Sequence, residues 1–573
     1  MTSLSRHPGL AFTLLVAMLL LAAPAFAPAA TVTIINLDGA GEGFNDPTPR
    51  APVGGNPGVT LGAQRLNVFQ HAADIWGGLL TSSVVITVEA NFDPMFCTAT
   101  SAVLGAAGPQ TVEMNFAGPP EHADTWYVAA LANAVAGTDL DADFSDIGIT
   151  FNSDVDDPAC LGTRSWYYGY DGLEGTDIEL VPVVLHEMGH GLGFLTLVDD
   201  TSGTEFMDFP DVYERFMLDL TTGKHWADET MTDEERVASA VNNGNLVWDG
   251  PAVTFKTPLV LGPRAHLVAN APPAIAGPMA MGRASYGAEL GTPGLTRNVV
   301  LADDGAGTTS DACTALINAG AVAGNIALVD RSAGCTDLVK AQNVQAAGAH
   351  GILYVDNVVS STPPTLRGTD PGLTLTVGAV RQADGNAIRA ELGGGVNVTL
   401  TIDATRLSGA DDSGTRPLLY APNALAPGSS LSHWDVQAHP NLLMEPALNT
   451  SVHDNVDLTR QAFEDIGWLP RVTAVDESAP LAFRLGDNHP EPFGPATTIR
   501  FTLEHGAVSD LSVFDVSGRL VRRLASGWLE AGPHALRWNG TDETGRRMSP
   551  GVYFYRLTSG GFAGTRQMVM LSR

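Results

Sequence analysis

Positive charge is the scarcest feature of this sequence, and lysine is almost missing. Its 573 residues include 31 lysines and arginines against 63 aspartates and glutamates, which gives a formal net charge of −32. The lysines are Lys224, Lys256 and Lys340. A nucleic-acid-binding surface needs clustered basic residues, so we expect no nucleic-acid partner. Acidity of this degree is typical of a well-solvated extracellular surface.

Long hydrophobic runs are missing after the first residues. The run from Leu10 to Ala23 follows Arg6 and His7 and ends in Ala25-Phe26-Ala27. It is short for a bilayer span, and a small-residue cleavage pattern follows it directly. We therefore interpret residues 1–27 as a signal peptide rather than a membrane anchor, and we expect a secreted, extracellular or cell-surface protein.

Cysteine is scarce as well. The four cysteines are Cys97, Cys160, Cys313 and Cys335. An even number in an exported chain predicts two disulfides, but four cysteines allow three connectivities and no spacing rule selects among them. Grouping by expected domain favours Cys97 with Cys160 and Cys313 with Cys335.

The length exceeds what one hydrophobic core usually supports, which predicts several domains. Leu66, Phe69, Ala73 and Trp76 have helical spacing, and the alternation from Val84 to Ala90 predicts a strand with one buried face. This succession is typical of an α+β domain. We divide the chain into a signal peptide (1–27), a first catalytic part (28–250), an inserted domain (251–405), a second catalytic part (406–472) and a C-terminal β-sandwich (473–573).

The strongest chemical signal is His186-Glu187-Met188-Gly189-His190. On a helix, the two histidines of this His-Glu-x-x-His pattern lie one turn apart on the same face and can share one metal ion. Glu187 lies beside them, where its carboxylate can take a proton from the attacking water and pass it to the leaving amine. Zinc needs a third protein ligand and an open position. The motif therefore predicts a catalytic zinc site that is completed from elsewhere in the chain.

Further residues carry a family resemblance. Gly193 follows the motif by three residues, but Thr196 stands where a third histidine would complete the compact metzincin pattern. Ser432-His433-Trp434 and, eleven residues after His433, Met444 supply the missing features. Together they resemble the leishmanolysin branch of the metzincins, in which an insertion separates the helix from a Ser-His-Trp segment and a methionine turn. The resemblance implies that His433 is the third zinc ligand and that Met444 forms an apolar floor beneath the metal.

Several alternatives stay open. Glu214, Asp199 or Asp200 could be the third ligand instead, His433 could be an ordinary surface histidine, and Met444 could be core filler. The acidic turns 139–143 and 154–157 could hold calcium, although solvated loops are the simpler interpretation. We interpret His439 and His453 as structural because they fall outside the pattern.

The segment from Ile147 to Phe151 predicts a strand. It resembles the edge strand that lies above the zinc in metzincins, where an extended peptide could pair with it. An interior strand is an equally good interpretation of the same pattern.

Two further resemblances concern the accessory parts. The sequence of the insertion resembles a protease-associated domain, in which Cys313 and Cys335 flank the apolar strand 326–329. This resemblance implies a lid or substrate-contact role. The last hundred residues resemble the β-sandwich of flagellar-hook-cap proteins and C-terminal secretion modules. That likeness implies a contact with secretion machinery or the cell surface, or a merely stabilising appendage.

The combined prediction is an α+β, metzincin-like zincin catalytic domain with an inserted α/β protease-associated domain and a C-terminal Ig-like β-sandwich. The predicted function is a secreted zinc endopeptidase that acts on protein or peptide substrates. The alternative is a non-catalytic surface adhesin that retains a structural zinc. A third interpretation, an aminopeptidase, is suggested only by the protease-associated domain.

Overall fold

The structure is a computed structural model of the full chain. It describes residues 29–117, 122–162, 164–447, 452–468, 484–489, 493–494, 496–503, 507–515, 519–529, 532–543, 546–559 and 562–571. The predicted signal peptide lies outside the described residues. Among the helices that are described, none combines the length and the apolar character needed to cross a bilayer.

The first part of the chain alternates strands and helices. Its elements are β1 Val32–Asn36, α1 Leu61–Leu79, β2 Ile86–Asp93, β3 Gly105–Pro109, β4 Val112–Glu113, β5 Tyr127–Val128, α2 Ala129–Ala136, β6 Ile147–Asn152, β7 Trp166–Tyr167, β8 Ile178–Glu179, α3 Leu180–Gly191, β9 Met217–Asp219, β10 Lys224–His225, α4 Asp233–Ala240, β11 Leu246–Trp248 and α5 Pro251–Val260. Short 3-10 turns occur at Gly43–Asn45, Ser153–Asp156, Phe206–Asp208 and Glu214–Phe216.

A four-stranded sheet in the order β1-β2-β6-β3 organises this part. Strands β1, β2 and β6 are parallel, whereas β3 is antiparallel to β6 and forms one edge. The predicted alternation in β2 is confirmed, because Ile86, Val88, Ala90 and Phe92 are buried in turn. Helix α1 buries Trp76, whose indole Nε1 donates to the carbonyl of Leu185 in α3 at 3.1 Å.

Of the two interpretations of the strand around Ile147, the interior one is confirmed. Ile147 pairs with Val88 on one side and with Pro109 on the other, so β6 lies inside the sheet. The edge next to it is β3, whose sequence Gly-Ala-Ala-Gly-Pro carries none of the alternation that marks a half-buried strand. Pairing with β6, rather than local propensity, makes this segment a strand.

The insertion has its own sheet and cores. Its elements are β12 Pro263–Ala271, β13 Gly277–Ala280, β14 Leu295–Leu301, α6 Ala319–Val322, β15 Ile326–Asp330, α7 Asp337–Ala346, β16 Gly351–Val355, β17 Thr376–Val380, α8 Gln382–Glu391, the 3-10 turn Leu392–Gly394 and β18 Asn397–Leu407. The seven strands are ordered β13-β12-β18-β14-β15-β16-β17, and the run from β14 to β17 is parallel. Apolar clusters cover both faces of the sheet.

The predicted start of the insertion at residue 251 is too early. Helix α5 buries Val253 in the core of the first part, and its backbone N–H groups at Ala252 and Val253 donate to Asp465. The insertion begins instead at β12, where Pro263 pairs with Leu407 of β18. The sequence did not reveal this because the partner of α5 lies more than two hundred residues later.

The remaining chain contains one more helix and a β-sandwich. Helix α9, Thr459–Ile466, ends at Gly467 and packs Phe463 against Trp76 at a ring-centroid distance of 5.0 Å. The sandwich consists of β19 Arg484–His489, β20 Thr497–Leu503, β21 Ala507–Asp515, β22 Leu520–Leu529, β23 Gly532–Trp538, β24 Gly551–Ser559 and β25 Phe562–Met570. Its sheets are β19-β20-β23 and β22-β21-β24-β25, and Trp538 and Tyr555 are buried between them.

Both cysteine pairs are disulfide-bonded. Cys97 is joined to Cys160 with a Cα–Cα distance of 5.5 Å, and Cys313 to Cys335 with 5.6 Å. The predicted pairing is confirmed, with one bridge in the part of the chain before the insertion and one inside the insertion.

The carboxylate of Asp465 offers a test of how α5 is attached. It accepts hydrogen bonds from the indole Nε1 of Trp248 and from the N–H groups of Ala252 and Val253. Asp465→Ala leaves these buried donors unpaired, so we expect it to lower the free energy of unfolding by about 2–4 kcal/mol. Chemical denaturation measures this loss. The neighbouring Glu464→Ala is the control and should change stability little; equal effects of the two variants would contradict the assignment.

Candidate metal centre

Helix α3 carries the motif through the middle of the first domain. All its residues except His186 and His190 are buried. Met188 and Leu185 pack in the core, and a Cβ atom at Gly189 would lie only 2.7 Å from the sulfur of Met444. The small residue at this position therefore allows the Met444 segment to approach the helix closely.

The three histidines named from the sequence converge on one point. The Nε2 atom of His186 lies 3.1 Å from that of His190 and 3.2 Å from that of His433. His433 is only 4% exposed, and its ring lies within 5.1 Å of both other rings, measured between centroids. Among the described residues, these three form one of two groups whose ligand atoms are close enough to share a metal ion.

A hydrogen bond at Nδ1 fixes the orientation of each imidazole. The Nδ1 atoms of His186, His190 and His433 lie 2.8, 2.9 and 2.7 Å from the carbonyl oxygens of Leu443, Phe194 and Ser429, respectively. In the neutral ring, Nδ1 then carries the hydrogen and donates it, which leaves the Nε2 lone pair for a metal. The three Nε2 lone pairs face one another with no proton between them, and a bound cation would offset their mutual repulsion.

Burial keeps these rings neutral. It lowers the pKa of His186 to about 4 and that of His190 to about 3, and it lowers the pKa of His433 well below its usual value, with the neighbouring imidazoles adding to the effect in His190 and His433. Neutral imidazole is the form that binds zinc.

Glu187 lies next to this cluster under the edge strand. It is 7% exposed, and burial raises its pKa to about 8. A Cβ atom placed on Gly105 of β3 would come within 3.1 Å of the Glu187 Cγ. The edge strand therefore passes directly over the carboxylate, a relation that the sequence did not reveal because β3 was not recognised as a strand.

An aromatic cluster holds the His433 segment against α3. Phe194, just after the helix, packs edge-on against Trp434 at 4.9 Å and against Tyr213 at 5.2 Å, and Trp248 packs against both Tyr213 and Trp434. All four rings are buried. Phe194 of the His-x-x-Gly-Phe sequence and Trp434 of the Ser-His-Trp sequence therefore pack directly against each other.

Thr196 takes part in the same attachment. Its backbone N–H donates to the Ser432 hydroxyl at 3.2 Å, and its own hydroxyl donates to Asp211 at 2.8 Å. The residue that stands in place of a third histidine therefore anchors the segment that supplies His433.

The two residues predicted to shape the site lie beside α3. Gly193 has a φ of 115°, a conformation that favours glycine, and its N–H donates to the His190 carbonyl at 3.0 Å. Met444 is fully buried, and its carbonyl accepts from the Trp434 N–H at 2.8 Å. The methionine thus lies under Gly189, and its backbone is hydrogen-bonded to the residue after His433.

The rival ligands lie elsewhere. Glu214 accepts from the backbone N–H of Asp211 at 2.8 Å, and Asp199 caps a turn through the N–H groups of Thr201 and Ser202. Neither residue, nor Asp200, belongs to a group of potential metal ligands among the described residues, and the same holds for the acidic turns 139–143 and 154–157 and for His439. The second such group contains Glu174, Glu179 and His453, which sequence reasoning missed because these residues match no spacing motif.

A large cavity lies away from the histidines. It measures about 1340 Å³ and is lined by residues of the insertion, such as Arg283 and Tyr286, together with Gln437, His439 and Asn441. None of the three clustered histidines lines it. It is a space between the insertion and the segment leading to Met444, distinct from the candidate metal centre.

Two parts of the chain match family models. Residues 295–388 match the PA domain, and residues 493–561 match the FlgD Ig-like domain. The resemblances of the insertion and of the C-terminal sandwich to these two families are confirmed. Among curated proteins, none matches the chain.

Solved structures show limited likeness. BSAP, a zinc aminopeptidase from Bacillus subtilis, is 24% identical with a TM-score of 0.20, and the match covers 25% of this chain and 31% of the BSAP chain. A peptidase M28 precursor from Shewanella amazonensis is 18% identical with a TM-score of 0.19, and the match covers 33% of this chain and 44% of the precursor. FlgD from P. aeruginosa is 25% identical with a TM-score of 0.12, over 13% and 60%. The chain spans less than half the length of both peptidases, and likeness of this extent carries no inference about activity.

The depressed histidine pKa values predict how the metal-free protein responds to acid. Between pH 7 and pH 5 the unfolded chain protonates its histidines, whereas His186, with a folded-state pKa of about 4, stays neutral. Because of His186, the free energy of unfolding should therefore be about 2 kcal/mol lower at pH 5 than at pH 7. Urea denaturation of chelator-treated protein at both pH values measures the effect. His186→Gln should lose about 2 kcal/mol less than the wild type over the same interval; an equal loss would mean that the ring titrates normally.

Proposed function

We propose that this protein is a secreted, zinc-dependent endopeptidase of the metzincin type. The observation that carries the proposal is the convergence of the Nε2 atoms of His186, His190 and His433 beside the buried carboxylate of Glu187. Three imidazoles with one adjacent glutamate form the donor set and base that zinc peptidases require. Among the described residues, no other metal-ligating group contains more than one histidine.

The residues fit zinc on chemical grounds. Neutral nitrogen donors suit zinc, and the hydrogen bonds from each Nδ1 orient the lone pairs and exclude the other tautomer. The three histidines would hold the ion and leave a position open, since these residues supply only three donors. The chemistry that zinc supplies when bound is Lewis acidity, which polarises a peptide carbonyl and makes a water molecule a stronger nucleophile.

Glu187 performs the proton transfers in this proposal. Burial alone raises its pKa to about 8, and a nearby cation favours the carboxylate, so the two influences bring the group close to the working pH. Its carboxylate takes a proton from the attacking water and returns it to the nitrogen of the leaving amine. The burial of Glu187 beneath β3 keeps bulk solvent from competing for that proton.

The edge strand suggests how a substrate is held. Strand β3 pairs with β6 on one side only, and it passes over Glu187. An extended peptide that adds to its open side would place one of its backbone amides near the carboxylate. Because a strand binds backbone along its length, this arrangement suits a bond inside a protein or peptide chain, and it supports the endopeptidase interpretation over an aminopeptidase.

The accessory domains complete the proposal. Arg367 of the insertion contacts Glu445, next to Met444, at 3.1 Å, which supports a lid or substrate-contact role for the PA domain near the site. The FlgD-like sandwich would act in sorting or attachment at the cell surface. In this proposal the chain after the signal peptide divides into a first part, 28–262, the insertion, 263–407, a second part, 408–472, and the C-terminal sandwich, 473–573.

The competing function is a surface adhesin with a structural zinc. Such a protein has no need for a buried carboxylate beside the metal, because burying an unpaired charge is costly. Glu187, at 7% exposure and with a raised pKa, therefore favours catalysis.

Three proteins distinguish these functions: wild type, Glu187→Ala and His433→Ala. Glu187→Ala should retain zinc and lose casein cleavage by about 10³-fold or more, since the proton-transfer group is gone. His433→Ala should lose both. Zinc content by mass spectrometry and casein hydrolysis are the measurements. Proteolysis by Glu187→Ala at the wild-type rate would support a different base, and full zinc occupancy in His433→Ala would remove that residue from the site.

A second pair of variants tests the edge strand. Gly105→Val places methyl groups against Glu187, so we expect at least about a 10-fold loss of kcat/KM with zinc retained. Gly108→Val on the same strand is the matched control, because a Cβ atom there meets nothing within 4 Å. If both variants cleave casein equally well, substrate does not pass over this part of β3.

A further inference from the structure

A second cluster of metal-ligating side chains lies at the other end of the active-site helix. Its members are Glu174, in the loop before β8, Glu179, immediately before α3, and His453, between Met444 and α9. One ligand atom from each lies within 4.8 Å of the others. The His453 Nδ1 is 2.6 Å from the Glu179 carboxylate.

The local structure directs these groups toward one another. Glu179 stands at the N-cap of α3, yet its side chain does not cap the helix and points to His453 instead. The backbone of His453 has a φ of 47°, which is unusual for a non-glycine residue. At Gly172, a Cβ atom would come within 2.5 Å of the His453 ring, so the absence of a side chain there makes room for the imidazole.

The cluster places two carboxylates beside one imidazole. The Glu179 side chain is only 4% exposed, and an oxygen of Glu174, Oε2, is buried without a hydrogen-bond partner. A cation bound between two carboxylates whose oxygens lie within 4.8 Å of each other would offset their mutual repulsion. The His453 side chain is 40% exposed, so the cluster remains open to an ion from solvent.

We propose that Glu174, Glu179 and His453 form a second, structural site for a divalent transition-metal ion of the zinc type. One imidazole nitrogen and two carboxylate oxygens suit zinc, whereas calcium and magnesium prefer oxygen donors alone. Solvent would complete the coordination from the exposed side.

The position of the site defines its role. Glu179 precedes His186 by seven residues, so the two centres are roughly 10 Å apart along the helix, too far for a pair of metals that share a substrate. The ion would instead tie the start of α3 to the segment that carries Leu443 and Met444. That segment already accepts a hydrogen bond from His186 through the Leu443 carbonyl.

Metal counting in the full chain tests this proposal separately from the catalytic one. After chelation and dialysis against zinc, wild type should hold two zinc ions per chain, His453→Ala one, and the double variant His186→Ala/His190→Ala also one. Combining all three substitutions should leave none. The proposal fails if His453→Ala binds as much zinc as wild type, whatever the double variant shows.

A thermal-shift experiment gives a readout that does not depend on activity. In the His186→Ala/His190→Ala protein, zinc should still raise the Tm, and adding Glu174→Gln or His453→Ala should abolish that rise; calcium should produce none. Glu174→Gln is the milder change and guards against a folding defect. His225→Ala is the matched control, because His225 also pairs with a single carboxylate, Asp249 at 2.9 Å, outside any such group among the described residues. A zinc-dependent rise that survives His453→Ala and Glu174→Gln would overturn the assignment.

Discussion

The candidate metal centre depends on holding one buried imidazole from a distant segment against the helix that carries His186 and His190. His433 is 247 residues from His186, yet their Nε2 atoms are 3.2 Å apart. The attachment is made by the packing of Phe194 and Trp434, by the hydrogen bond from Thr196 to Ser432 and by the carbonyl of Leu443 that fixes His186. The aromatic rings bury large apolar surfaces at this contact, and the hydrogen bonds are directional. These contacts between the His433 segment and α3 set the distances between the three histidine rings.

The electrostatic character of the centre contrasts with that of the whole chain. A net charge of −32 spreads over the protein, whereas the centre itself consists of neutral imidazoles around one carboxylate. Removing the rings from water keeps them unprotonated, and the same burial raises the pKa of Glu187. Exclusion of solvent is therefore the common cause of the lowered histidine pKa values and the raised pKa of Glu187.

The sequence predicted the parts of the site that local spacing determines. His-Glu-x-x-His specifies its own geometry because a helix places residues four apart on one face, and the alternation in β2 specifies a buried strand. The strand β3 could not be predicted, since Gly-Ala-Ala-Gly-Pro acquires its structure only from pairing with β6. In α1 the helical spacing of Leu66, Phe69, Ala73 and Trp76 is confirmed, and the last three are buried, whereas Leu66 is 37% exposed.

Long-range partners explain the other differences. The attachment of α5 through Asp465 and the proximity of Glu179 to His453 each join segments separated by more than two hundred residues. Such pairs use ordinary residue types at no fixed spacing, so no local pattern marks them. The proximity of His433 to the helix, with its Nε2 atom 3.2 Å from that of His186, is also long-range, and it was expected only from a family resemblance.

The pairing of Pro263 with Leu407 has a consequence for how the chain assembles. The two ends of the insertion leave it side by side, as neighbouring residues on antiparallel strands. While the insertion is unfolded, it is a long flexible loop whose closure carries a substantial entropic penalty. Once it has folded, α5 and the segment that follows β18 leave it from neighbouring positions. A folded insertion therefore joins the two flanking parts of the chain at a lower entropic penalty than an unfolded one.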